Sequence, residues 1–133
     1  MKKLIVLALL AAPALALAAP TGLLYKKGRF YFFEGNGRPP ADSANKTQRL
    51  SLSEQAAVLD GKAKIARYID GLKTKDDRTL AELKEKDDAV KTKVKVFLDG
   101  VETVKTDWDG EDNCKVILKI NRKNIIKSLN AKE

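Results

Sequence analysis

Histidine is absent from this sequence of 133 residues. That removes the side chain used most often as a general acid or base near neutral pH and as a metal ligand, so catalysis is not expected. Cysteine occurs once, as Cys114. An intrachain disulfide is therefore excluded, and the fold must stand on its core. A glycine-rich phosphate loop is missing, as is a serine in a nucleophile-elbow context, and with them the usual signatures of nucleotide binding and acyl transfer. No cofactor and no metal are expected.

Carboxylates are the remaining chemistry. Asp76-Asp77, Glu82 with Glu85, and Asp87-Asp88 offer acid–base pairs of the type used in glycoside hydrolysis, but that reaction needs a spatial gap that sequence spacing does not set. Charge-rich runs usually form solvated faces. The run Asp107 to Asn113 carries oxygen ligands suited in type to calcium. Its Gly110 falls fourth from Asp107, whereas calcium loops place glycine sixth, so a hairpin turn is the better reading.

The sequence opens with a cationic start, Met1-Lys2-Lys3, an apolar stretch from Leu4 to Ala12, and the small-residue pattern Ala16-Leu17-Ala18. This is the layout of a cleavable secretory signal peptide, residues 1–18. A spanning helix needs about 20 apolar residues, and Pro13 interrupts the run from Leu4 to Ala19. Cleavage is expected after Ala18, with Ala16 as the alternative. No cysteine lies near either position, so a lipoprotein-type cut is excluded. The expected product, residues 19–133, is one domain, periplasmic or secreted, with membrane contact at most peripheral. Loss of Lys2 and Lys3 leaves 24 basic against 18 acidic residues, a net charge of +6. Outside the cytoplasm such an excess favours lipid headgroups, acidic glycans or acidic proteins over nucleic acid, although ordinary solubility calls for a similar charge.

Residues Leu23 to Gly37 read as an aromatic and basic strand stopped by Gly35-Asn36-Gly37. Lys26, Lys27 and Arg29 project near one of its ends, available to an anionic surface or partner. A surface connection runs from Arg38 to Lys46; its Asn45-Lys46-Thr47 matches a glycosylation acceptor only as a short chance pattern. Ser51-Leu52-Ser53-Glu54 fits a capping box and predicts a helix from Ser51. Its stripe comprises Leu52, Ala56, Leu59, Ala63 and Ala66, widened by Val58, Ile65, Ile69 and Leu72, and it closes on a left-handed Gly71. Alanines here, with Gly61, imply close approach to a sheet. Leu72 to Lys75 alternates as a strand. Val90 to Leu98 fits both periods, and Gly100 favours a short helix. Val101 to Trp108 and Cys114 to Ile120 flank an Asp-Gly turn and predict a hairpin with Cys114 on the buried face. Ile125, Ile126 and Leu129 mark a last short helix.

Three segments, in order, resemble the LPP-twenty family of small envelope lipoproteins, a group that includes the flagellar proteins FlgP and FlgT. They are Gly35 to Pro40, Glu54 to Ala63 leading into Tyr68-Ile69-Asp70-Gly71, and Val94 to Val104 with Leu98-Asp99-Gly100-Val101. The resemblance covers roughly residues 30–121 and implies an α+β module of strand-helix-strand-strand type, with an envelope or motility role and no catalysis. Unlike the lipoprotein members, this sequence lacks the acylated cysteine. The expected function is that of a non-catalytic accessory or assembly module of the cell envelope, binding envelope or flagellar proteins or an anionic envelope surface. The alternatives are a carboxylate-dependent hydrolase of envelope glycan and a carrier of small apolar ligands, the latter requiring a sizeable cavity.

Overall fold

The aromatic-basic segment is two strands rather than one. In the computed structural model, which describes residues 23–42 and 45–132, β1 (Leu23–Lys27) turns back at Gly28-Arg29 into β2 (Phe30–Gly37). Gly28 sits at φ +62°, the conformation a two-residue hairpin needs at its first central position and glycine adopts without strain. Gly35-Asn36-Gly37 does not stop the strand but belongs to it, pairing with Val116, Lys115 and Cys114. The leader, with Ala16 and Ala18, lies outside the described residues.

Asn45 caps the long helix α1 (Lys46–Asp70), its side-chain oxygen accepting the Gln48 N–H at 2.8 Å. The helix therefore begins five residues before the expected Ser51 start. No glycine or proline breaks the intervening turn, and an asparagine cap is as good as a serine. Ser53 lies inside the helix, buried, with its hydroxyl donating to the Leu50 carbonyl at 3.0 Å. At the other end Gly71 has φ −82°, right-handed rather than left-handed.

A short strand β3 (Lys73–Thr74) follows, then α2 (Leu80–Lys86), α3 (Asp88–Asp99), β4 (Glu102–Trp108), β5 (Cys114–Asn121), α4 (Arg122–Leu129) and β6 (Ala131–Lys132). The fold is α+β. Four strands form one antiparallel sheet in the order β1-β2-β5-β4, while β3 and β6 pair as a separate ribbon. The carboxyl-terminal hairpin, the helix over residues 90–98 and the last short helix stand as the sequence indicates. The helix α2 was not anticipated. Thr79 caps it, accepting the Glu82 N–H and donating its hydroxyl to the Glu82 carboxylate.

Alternation along the two central strands sends Tyr31, Phe33, Gly35 and Gly37 of β2, and Cys114, Val116, Leu118 and Ile120 of β5, to the face under α1. The helix answers with Ser53, Ala57, Gly61, Ile65 and Ile69, one buried residue every four. The stripe is thus rotated from the one expected, and Leu59 is 68% exposed. Backbone proximity explains the rotation. A Cβ on Gly35 would lie 2.0 Å from the Ala57 carbonyl oxygen, and one on Gly37 2.1 Å from that of Ser53. Glycine on the strand and small residues on the helix let the two backbones meet, and the larger apolar side chains are displaced to the flanks. The close approach foreseen from Gly61 is present, since its Cβ would meet Leu118 at 2.6 Å.

Close contact also completes the hydrogen bonding of β2. Its partner β1 pairs only as far as Phe33, so the polar groups beyond need other partners. Asp60 accepts the Asn36 N–H at 2.9 Å and Lys64 donates to the Glu34 carbonyl at 2.9 Å. Burial opposes ionisation of Asp60, but the Asn36 N–H and the Lys64 ammonium outweigh it and hold the carboxyl below its ordinary value.

Gly35→Ala should therefore destabilise the fold by about 3 kcal/mol, the upper part of the overpacking range, because the new methyl meets backbone that cannot rotate away. Gly61→Ala should cost less, since it meets the movable end of Leu118. Urea unfolding of the two variants measures the difference, and equal midpoints would contradict the close-contact account.

Candidate functional site

Lys26, Lys27 and Arg29 sit on β1 and its turn, all exposed at one end of the sheet. Folding adds residues the sequence reading did not include. Lys26 Nζ lies 4.9 Å from the centre of the Tyr31 ring, and Arg122 approaches the same ring with Cζ at 5.7 Å. The Arg122 N–H donates to the Arg29 carbonyl at 2.9 Å, which ties the start of α4 to the β1–β2 turn. Lys119 Nζ lies 4.5 Å from the centre of the Phe30 ring. Cations from three elements thus gather on two neighbouring aromatics, each contact of the cation–π type worth about 0.5–1 kcal/mol when exposed. On the outer face Tyr25 stacks on Phe32, with ring centres 4.5 Å apart.

Beside this cationic end runs a groove of about 740 Å³. One wall is α3 and the other α4, and the ends of β5 and β4 lie between them. Phe97, Val101, Ile120, Ile125 and Leu129 give it an apolar lining, and Phe30 joins it to the aromatic cluster. Lys93, Glu102 and Lys119 are its charged members, with Asn121 and Asn124 adding amides. Glu102 is 3.8 Å from Lys119, a loose pair. The groove lies away from the glycine-bearing face of α1, where the backbones are too close to leave space. Its lining is spread over residues 30 to 129, so no local sequence pattern could announce it.

The acidic loop between β4 and β5 is satisfied by its own chain. Asp109 accepts the Glu111 and Asn113 backbone N–H groups at 2.8 and 3.0 Å, and the Asn113 side-chain amide at 3.0 Å. Asp112, buried and at φ +66°, pairs with Lys46 and with Arg49 at 2.9 Å, pinning the start of α1 to the hairpin. Hydrogen bonds from Asn113 and the two backbone groups lower the Asp109 pKa; those from Lys46 and then Arg49 lower that of Asp112. Among the described residues no group of three potential ligands is arranged to hold a metal ion.

The carboxylates weighed for hydrolysis are dispersed. Asp76, Asp77, Glu82, Glu85, Asp87 and Asp88 are all exposed, and none of them lines the groove. Asp77 pairs with Lys132 at 2.7 Å, and Asp87 caps α3 by accepting the Ala89 N–H at 2.9 Å. Cys114 is 2% exposed on the inner face of β5. Burial pushes its thiol pKa up, and the charges of Glu54 and Asp107 add to the effect. Among the described residues no helix is long and apolar enough to cross a membrane.

Two outcomes follow from these environments. The depressed Asp112 pKa means that its pairs stabilise the fold above the unfolded-state value of about 3.9 and are lost as pH falls through the lower folded value. Asp112→Asn, which tolerates the same left-handed backbone, should lower the urea midpoint near pH 7 and match the parent chain near about pH 2. A deficit that persists unchanged in acid would show that the pairs are not its cause. For Cys114, an aromatic disulfide reagent should label the folded chain only as fast as it opens, and labelling should accelerate through the urea transition; immediate labelling without urea would contradict an inert buried thiol. No protein-family model, characterised protein or solved structure shows significant similarity to this chain.

Proposed function

We propose that this chain is an exported, non-catalytic binding module of the cell envelope that acts as an accessory or assembly component through contact with an anionic partner. The observation that carries this reading is the convergence of Lys26, Lys27 and Arg29 with Lys119 and Arg122 around Tyr31 and Phe30. Cations spaced over a rigid aromatic base offer an acidic surface several simultaneous contacts at little cost in side-chain ordering. Export rests on the leader sequence, and the envelope assignment on the three ordered segments that resemble the LPP-twenty family. A flagellum-associated role is one form this assignment takes. Two of those segments contain Gly35, Gly37 and Gly61, the residues that set the helix against the sheet. The resemblance is therefore centred on the packing of the module, and the cationic end is where this chain would differ in partner.

Expression in a secreting bacterial host, with fractionation and in-cell cross-linking, tests the proposal. The expected product is found outside the cytoplasm with the mass of unacylated residues 19 to 133, and it is cross-linked to an acidic envelope component. Reversing three charges together (Lys26→Glu, Lys27→Glu and Arg29→Glu) should cut that cross-linking several-fold at low salt and leave the urea midpoint unchanged, because all three side chains are exposed. Added salt should weaken the parent contact as well, by screening. Retention of the uncleaved chain in the cytoplasm, or capture indifferent to the charge reversal, would overturn the reading.

A further inference from the structure

We infer that the groove between α3 and α4 is a binding site for single-chain anionic amphiphiles, molecules with one alkyl chain ending in a carboxylate or phosphate. The inference stands on the groove and holds whether or not the chain is exported. At about 740 Å³ the space falls within the range of small-ligand sites. It is largely apolar with a few convergent polar groups, the composition such sites share. Ile120, Ile125 and Leu129 form a floor that water scarcely reaches, and Val96 on the lip is 65% exposed. An alkyl chain laid along this surface would cover the apolar area that α3 and α4 leave open.

Charge selects the head group. Of the charged side chains lining the groove two are lysines and one is a glutamate, and the glutamate is already beside Lys119. Lys93 has no acidic partner among the described residues. The Asn121 and Asn124 amides lie on the same rim and can donate to an oxyanion, and Arg122 and Lys123 follow immediately in sequence. A cationic head would meet like charge. An uncharged chain would fill the floor and leave the lysines unused. Size disfavours a protein segment, because a helix about 10 Å across and rising 1.5 Å per residue would fill the volume in roughly two turns, too short a stretch to hold its own structure.

Titration of the full chain with dodecanoate, dodecyl phosphate, dodecanol and dodecyltrimethylammonium, each below its micelle concentration and followed by amide chemical shifts, tests the site. Saturable shifts at Val96, Gly100 and Ile125 are expected with the two anions, the tighter of which identifies the head group. Dodecanol should bind more weakly, and the cation most weakly. Lys93→Glu should weaken the anions by roughly two- to fivefold, the worth of one exposed charge pair, and leave dodecanol unchanged. Ser128→Trp, at an exposed position on the groove wall, should abolish binding of both kinds while the shifts of α1 report an intact fold. Equal affinity for the four head groups, or anion binding that survives Ser128→Trp, would overturn the proposal. Groove shifts caused by an acidic amphipathic peptide but by no alkyl anion would also overturn it, in favour of a protein partner.

Discussion

The contact between the backbone of α1 and that of β2 determines the arrangement of everything around it. Gly35 and Gly37 have no side chains, and a methyl on either would run into a helix carbonyl. Dispersion forces reward such proximity only when the surfaces fit without gaps, which is why the facing helix residues are Ser53, Ala57 and Gly61. Once the helix is seated there, its direction is fixed by the strand. Ile65 and Ile69 further along reach Phe33 and Leu118 in the same core. Asp60 and Lys64 fall where the unpaired part of β2 needs an acceptor and a donor.

A helix held so close covers β2 and β5 well and β4 only slightly. The remaining inner surface is closed by smaller elements. Trp108, at the far end of β4, donates its indole N–H to the Leu50 carbonyl at 3.1 Å and ties that strand to α1. Around the opposite end, α3 and α4 bring Val94, Ile125 and Leu129 into the core. These helices have no glycine contact with the sheet of the kind α1 has. Their side chains keep them apart, and the groove is the space that results. Tight packing on one half of the sheet and looser packing on the other are two sides of one geometry.

Much of this was legible where the signal was local. Asp109-Gly110 between two alternating runs gave the β4–β5 hairpin, and the same alternation placed Cys114 inward. Gly100 decided the helix before it. The rotated stripe of α1 was not legible by hydrophobicity, because its contact residues are serine, alanine and glycine, which a hydrophobic count passes over. Only the glycines of β2 and Gly61, read together, pointed to it. The reversal at Gly28 was masked by the basic residues on both sides, which continue the appearance of one strand. Lys119 was placed correctly on the outward face, but its position above Phe30 depends on a register between strands roughly eighty residues apart. The pairing of Asp112 with Lys46 and Arg49 is equally remote, spanning 66 and 63 positions.

That remoteness also governs when the fold can form. The central position in the sheet belongs to β5, which holds β2 on one side and β4 on the other. Every element of the sheet precedes it in the chain. Until residues 114–121 are made, β1 and β2 are a two-stranded hairpin with an uncovered aromatic face, a form of marginal stability in water, and α1 has no complete surface to lie on. A chain still emerging from the ribosome must therefore stay without its tertiary structure almost until synthesis ends. The growing protein is exposed to chaperones and translocation machinery for nearly its whole length, and it then completes its core in one late step.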